Sequence, residues 1–208
     1  MGHDEGGAGA SPLSIVTLVS GGLDSTVMAI LAKEEGLTQH PLFIDYGQLS
    51  RDRELNACLN NLSQWGLPNP VVASLGGYGT LLSSGLTDRT KRVFEDAFLP
   101  CRNVLFLTVG AAYAFQNGAT SVAIGLLDEA FSVFPDQTKG FLFEAETLLS
   151  RGLGKPIRLV APLMTFSKAE VLSIAKAKGL TGTYSCHAGS ETPCGQCVAC
   201  REYIGLEV

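Results

Sequence analysis

SIVTLVSGGLDST, Ser14 to Thr26, changes its pattern halfway along. Ser14 to Ser20 is aliphatic and β-branched and runs directly into two glycines, which predicts a short buried strand ending in a tight turn. From Asp24 to Glu35 the apolar residues return at helical spacing, with Gly36 placed to end the helix. Strand, glycine turn and helix form the opening half of a parallel unit. Further along, HPLFIDY (His40 to Tyr46) predicts a second strand, Asp52 to Trp65 a second helix and VVASL (Val71 to Leu75) a third strand. This alternation predicts an α/β fold on a parallel, Rossmann-like sheet.

The pattern then loosens. Gly76 to Asp96 is rich in Gly, Ser and Thr without a clear period and is expected to be a long loop over the active site. Asn103 to Gln116 is apolar on nearly every face, and Gly110, Ala111, Ala112 and Ala114 suit a buried helix packed closely on the sheet. SVAIGL (Ser121 to Leu126) and PIRLVAPL (Pro156 to Leu163) supply two more strands, separated by a partly helical stretch, Asp128 to Arg151. Ser167 followed by Glu170 is a capping box that starts a helix ending at Gly179. There is no internal repeat and no linker, so residues 13–208 are expected to form one domain with a metal-binding tail at about 184–202, preceded by a flexible lead over residues 1–12.

Composition narrows the function classes. With 46% hydrophobic and only 17% charged residues the chain can bury a substantial core. A net charge of −5 argues against a broad footprint for nucleic acid, so small-molecule chemistry is expected. No apolar run approaches the ~18 residues of a membrane span. The first dozen residues carry no signal-like apolar run, and a cytoplasmic protein is expected.

Glycines between a strand and a helix let backbone N–H groups approach phosphate oxygens, and the helix N-terminus adds positive potential. SGGLDST lacks the Gly-Lys-Ser/Thr of a Walker loop, and a lone glycine turn serves equally well as a plain corner. Arg102 and Lys168 each stand at a loop-to-helix corner where they can neutralise phosphate charge, although each alone also suits a surface or capping role. Asp45 ends the second strand, where open α/β sheets bind ligands; a turn aspartate is its plainer reading. Near the C-terminus, Cys186, Cys194, Cys197 and Cys200 follow C-x7-C-x2-C-x2-C spacing, which completes a tetrahedral thiolate shell around a structural Zn2+. His187 is a weaker alternative ligand, and the two overlapping C-x2-C pairs count against a disulfide. Cys58 and Cys101 are left over.

Taken in order, SGGLDST, FIDYGQ, PCRNVLFLTVGAAYA, APLMTFSKAEV and SC-x7-CGQCVAC resemble the 7-cyano-7-deazaguanine synthase (QueC) family of N-type ATP pyrophosphatases, from about Ile15 to Arg201. The loop is also similar to that of asparagine synthetase, GMP synthetase and the tRNA thiolation or lysidine enzymes. The resemblance implies an ATP-dependent ligase that adenylates 7-carboxy-7-deazaguanine, couples ammonia to give the amide, and spends a second ATP to reach the nitrile, a precursor of queuosine. It further implies that Ser20, Gly21, Gly22, Asp24 and Ser25 cradle pyrophosphate, with Asp24 a candidate partner for Mg2+; Asp45, from its place at the strand end, is the further ATP-site candidate. Asp24, Arg102 and Lys168 are then the catalytic candidates, and Asn103, Asp128 and Asp136 the substrate contacts, the two aspartates accepting from a guanine-like N–H edge. A zinc site and a homodimer complete what the family implies.

Two departures bear on the substrate. The Arg-His that follows DYGQ in the family is replaced by Leu49 and Ser50, with one extra residue before Glu54. The family's Asp-Tyr-Ser-Gly-Tyr-Pro-Asp-Cys-Arg segment is replaced by DEAFSVFPDQT, Asp128 to Thr138, which keeps Pro135 and Asp136 but has Gln137 and Thr138 for Cys-Arg. A paralogue that resembles the synthase-like proteins of type IV cyclic-oligonucleotide (CBASS) antiphage operons would instead transfer the deazaguanine to an amine of a partner protein. Phe131 to Phe134 would then face a peptide, and core packing explains those phenylalanines equally well. Two readings from other classes are a silent nucleotide-binding scaffold subunit, against which the intact loop counts, and a nucleic-acid-binding zinc ribbon, against which the acidic balance counts.

Overall fold

The computed structural model describes residues 13–206, and the expected lead over residues 1–12 lies outside them. Five strands form one parallel sheet: β1 (Ser14–Leu18), β2 (Thr38–Asp45), β3 (Val71–Ser74), β4 (Ser121–Ala123) and β5 (Arg158–Val160), in the order β3-β2-β1-β4-β5. Between them run α1 (Leu23–Glu34), α2 (Arg51–Gln64), α3 (Gly76–Leu81), α4 (Arg102–Gln116) and α5 (Lys139–Leu153), followed by α6 (Lys168–Ala177) and a four-residue α7 (Val198–Arg201). The chain winds outward from β1 to β3 and then crosses to β4 on the other side of β1. The gap between the carboxyl ends of β1 and β4 is therefore the switch point, where open α/β sheets bind ligands.

Alternation along β1 divides the core. Val16 and Leu18 join Leu42, Ile44 and Val122 against Leu107, Ala111 and Ala114 of α4. Ile15 and Ala123 face Val27 and Ile30 of α1 and Val171 and Ala175 of α6. Val19 and Phe43 pack with Ala29, Cys58 and Leu62 between α1 and α2. Strands covered on both faces read as continuous apolar runs, which is why SIVTLV and HPLFI were legible. Each fully buried aliphatic side chain contributes roughly 1.5–3 kcal/mol.

Three expectations need correction. The stretch from Gly76 to Asp96 is not one long loop: its first six residues form α3, and Ser84, Thr87 and Asp88 tie the rest into a turn around the buried Leu86. None of its residues lines either active-site cavity described below. Three glycine-poor positions in six were too few to show a helical period. Helix α4 buries one stripe only; Val104 and Phe115 are 36% and 45% exposed. At Gly110 it does lie close on the sheet, since a Cβ there would sit 2.9 Å from Val122 Cγ1. β4 and β5 are also shorter than the apolar runs that predicted them, at three residues each.

The capping box of α6 is formed as expected: the Glu170 N–H donates to Ser167 Oγ at 3.3 Å, and the Ser167 N–H donates to the Glu170 carboxylate at 2.7 Å. Ser167→Ala is expected to cost about 1 kcal/mol of stability, read as a lowered urea midpoint at unchanged slope.

Candidate active site

The phosphate loop is held by its own side chains. The Ser20 N–H donates to Ser25 Oγ at 3.1 Å, the two serine hydroxyls lie 3.0 Å apart, and Thr26 Oγ1 donates to the Gly22 carbonyl at 2.8 Å. Gly22 is the N-cap of α1 and no side chain caps that end. The first N–H groups of the helix are thus available to an anion, helped by the macrodipole. Gly21 has φ +78°, and a Cβ on it would lie 2.3 Å from the Glu54 carbonyl oxygen and 2.6 Å from the Cys58 nitrogen. On the other side of the switch point, a Cβ on Gly125 would lie 3.1 Å from the Ser25 nitrogen.

Two cations line the cavity at this loop. Lys168 opens α6 and reaches back to Asp24, with Nζ 2.9 and 2.7 Å from its two carboxylate oxygens and 2.7 Å from Glu202. Burial pulls the Lys168 amine down, but the Asp24 and Glu202 carboxylates outweigh it and the amine is raised, so it stays charged. Arg102 opens α4 behind Cys101, whose φ of 57° is the only positive value among the described non-glycine residues. Its guanidinium stands 5.8 Å from the Phe106 ring, with Tyr46 nearby. Burial pushes Tyr46 up to about 12, against the pull of Arg102.

These groups line a cavity of about 240 Å³ that includes Ser20, Gly22, Asp24, Ser25, Arg102, Asn103 and Lys168. Its floor holds Glu54, which takes hydrogen bonds from Ser50 Oγ at 2.7 Å and Gln48 Nε2 at 3.1 Å. Burial raises the Glu54 carboxyl, partly offset by those donors and Arg102. A second cavity, sharing Asp24, Gly125, Gln137, Lys168 and Glu202 with the first, opens toward Asp128, Phe131 and Val133.

Not every sequence candidate reaches this place. Asp45 lines neither cavity: its carboxylate accepts from the Gly47 N–H at 3.1 Å and Arg51 Nε at 3.2 Å, the plainer turn role. Asp136 also stays outside, because its carboxylate accepts the Asn103 N–H at 3.1 Å and its carbonyl accepts Asn103 Nδ2 at 2.9 Å. Asp128 accepts from the Ala130 N–H at 2.9 Å and lines only the outer cavity. The residues that replace the family's Cys-Arg are used locally: Gln137 Oε1 accepts the Val133 and Phe134 N–H groups, and Thr138 caps α5. Phe134 packs against Phe98 with centroids 5.4 Å apart, whereas Phe131 is 64% exposed, so the aromatic stretch divides between core and surface. Glu54 and Glu202 line the inner cavity without having been candidates, because neither belongs to a local motif and only the packing of α2 and of the tail brings them there.

Cys186, Cys194, Cys197 and Cys200 place their sulfurs within 4.8 Å of one another. The Cys194 and Cys200 sulfurs are 3.9 Å apart, close to the ~3.8 Å edge of a tetrahedron with 2.3 Å metal–sulfur bonds. Backbone N–H groups of Cys194, Gln196, Cys197 and Cys200 point at these sulfurs at 3.3–3.4 Å, as suits thiolates. Burial raises Cys197 and Cys200, whereas at Cys186 burial is outweighed by hydrogen bonds, that of Ser190 first, which lower the thiol to about 6. The donor set fits a metal ion. His187 is not part of this group; it lines the inner cavity, where burial first, then Arg102 and Lys168, depress it to about 3 and keep it neutral.

A parallel sheet in this order, with a glycine loop, an uncapped helix and two cations at its switch point, defines a PP-loop ATP pyrophosphatase fold. U34-tRNA thiolase NcsA from Methanococcus maripaludis superposes with a TM-score of 0.58 at 20% identity, over 93% of this chain and 64% of its own. NMN synthetase from Francisella tularensis does so with a TM-score of 0.54 at 18% identity, over 95% of this chain and 74% of its own. Within that class, the chain belongs to the queuosine biosynthesis protein QueC family, whose model matches residues 14–203. The 7-cyano-7-deazaguanine synthase of Acetivibrio thermocellus is 32% identical over 89% of this chain and 88% of its own length. That of Laribacter hongkongensis is 30% identical over 91% and 87%.

Gly21→Ala combines a left-handed backbone with collision against α2 and is expected to cost more than about 2 kcal/mol in urea unfolding. Gly36→Ala, at φ +72° with nothing within 4 Å, should cost only about 1 kcal/mol. Elemental analysis is expected to find one metal ion per chain, and Cys197→Ser to reduce that occupancy several-fold.

Proposed function

We propose that this chain adenylates the carboxylate of 7-carboxy-7-deazaguanine with ATP and carries it, with ammonia, to 7-cyano-7-deazaguanine. The observation that carries this reading is that Lys168 and Arg102 line one cavity with the uncapped start of α1, in a chain of the QueC family. A carboxylate resists attack by an amine, and oxide is a poor leaving group; adenylation removes both obstacles. A carboxylate oxygen attacks the α-phosphorus, the bridging bond to the β-phosphate breaks, and pyrophosphate leaves with that electron pair. Ammonia adds to the acyl carbon, losing a proton as AMP departs, to give the amide. A second ATP adenylates the amide oxygen, and loss of both N–H protons with departure of AMP gives the nitrile.

In this reading the α1 N–H groups hold the leaving pyrophosphate, while Lys168 and Arg102 neutralise charge as it develops. Mg2+ would supply further charge neutralisation on pyrophosphate, with Asp24 as its candidate ligand. The cysteine cluster would hold Zn2+ as a structural ion, and its free thiols fit a reducing compartment such as the cytoplasm. Asp128 on the outer cavity remains a candidate acceptor for a heterocycle's N–H edge, and Glu54, which lines the inner cavity, is a further one. The exposed apolar side chains of α4 and α5, Phe115, Phe143 and Leu148 among them, favour a second copy as partner, to be checked by light scattering. No helix of the described residues is long and apolar enough to cross a membrane.

A second reading, transfer to an amine of an acceptor protein, is favoured by the exposed Phe131 and Val133 on the outer cavity that adjoins Lys168. Mass spectrometry with ATP, Mg2+, 7-carboxy-7-deazaguanine and ammonium separates the two. Nitrile with two AMP per turnover is expected; a stalled adenylate or amide, with mass gained by a supplied protein, would favour transfer, and no AMP at all would sink both. Lys168→Met and Arg102→Met should each slow AMP release roughly a hundredfold.

A further inference from the structure

The cysteine-rich tail is a wall of the active site. Tyr184, Ser185, His187, Val198, Ala199 and Glu202 all line the inner cavity. The tail is fastened to the phosphate loop and to α2: the Tyr184 N–H donates to the Gly21 carbonyl at 2.9 Å, and Arg53 Nε donates to the Gly189 carbonyl at 3.1 Å. A Cβ on Gly189 would lie 2.4 Å from the Leu49 carbonyl oxygen, so the two backbones touch.

Glu202 is placed by the same short helix that carries two of the cysteines. Cys197 is the N-cap of α7, its sulfur accepting the Cys200 N–H, and the Glu202 N–H closes the other end on the Val198 carbonyl at 3.2 Å. A four-residue helix has no stability of its own, so its geometry depends on what draws the cysteines together. From this end Glu202 reaches Lys168 Nζ at 2.7 Å, while Asp24 holds the same nitrogen at 2.7 Å and the Tyr203 ring stands 5.3 Å away. The Lys168 side chain is only 10% exposed, while Glu202, 39% exposed, reaches it from the solvent side. Freezing a lysine side chain costs up to about 2 kcal/mol of rotamer entropy, and something fixed must hold it. Asp24 belongs to the loop that would engage Mg2+ and pyrophosphate, which leaves Glu202 to aim the amine during the reaction.

We propose that Glu202 is the positioning residue for Lys168, and that a metal in the cysteine cluster acts on the active site through this ion pair. The inference rests on reading Lys168 as the adenylation lysine and the cluster as a metal site.

The test is a brief acetylation pulse on the full chain, with Lys168 followed by peptide mass spectrometry against the exposed Lys139 as reference. With metal bound, Lys168 should label slowly. Stripping the metal with a chelator should raise its labelling at least about fivefold relative to Lys139, and Glu202→Ala should label at the raised rate with or without metal. Equal labelling of loaded and stripped wild type, unchanged labelling in Glu202→Ala, or a rise shared by Lys139 would each overturn the proposal. A kinetic arm uses metal-loaded Glu202→Gln and Glu202→Asp, matched to wild type in metal content. A fall of roughly tenfold in kcat for AMP release is expected in Glu202→Gln, with KM for ATP changed less than about twofold and partial recovery in Glu202→Asp; an unchanged kcat counts against Glu202. If wild type forms no AMP, the ligase reading fails, and the labelling still decides the Glu202–Lys168 pair.

Discussion

At Gly21 there is no room for a methyl group. The loop that follows β1 presses on the Glu54 carbonyl and Cys58 amide of α2, and its own carbonyl accepts from Tyr184 at the start of the tail. Three parts of the chain that are distant in sequence therefore meet on one residue without a side chain. Were the loop to stand off by even an ångström, the start of α1 would no longer share a cavity with Glu54 below it and the cysteine-rich wall beside it. The phosphate site, the cavity floor and the tail all depend on this approach.

The charges around that point are balanced in a particular way. Lys168 is held between Asp24 and Glu202, Arg102 shares the cavity with Tyr46 and Glu54, and His187 stays neutral near both cations. Such an interior tolerates positive charge because carboxylates from the phosphate loop, α2 and the tail answer it. The uncapped α1 adds N–H donors that no side chain competes for, so its start favours an anion. The cysteine cluster is a neighbour of this field, since its first cysteine precedes His187 and its last lies two residues before Glu202.

How far the sequence could be read followed from the range of the interactions involved. β1, α1, β2 and α2 were legible because apolar periodicity and glycine stops are local signals, and the α6 capping box spans only three residues. α3 was missed because GGYGTL has no period, and α4 was overread because an apolar helix can leave Val104 and Phe115 at the surface. The four cysteines were found by spacing alone, as their sulfurs belong to one short segment. Asp45, Asp128 and Asp136 each accept a local backbone N–H, a use that sequence could not separate from ligand binding because turn-capping and ligand-binding aspartates look alike until their hydrogen bonds are known.

By itself, the sequence determined the parallel α/β class, the glycine turn that joins β1 to α1 and the cysteine cluster, because each is written in short contiguous stretches whose pattern is local. Only the tertiary structure decided which carboxylates enter the cavity. Glu54 and Glu202 are brought there, and Asp45 and Asp136 kept out, by packing between elements such as α2 on the loop and α7 on Lys168. Burial and partner distance are properties of that packing, and a carboxylate's role depends on both.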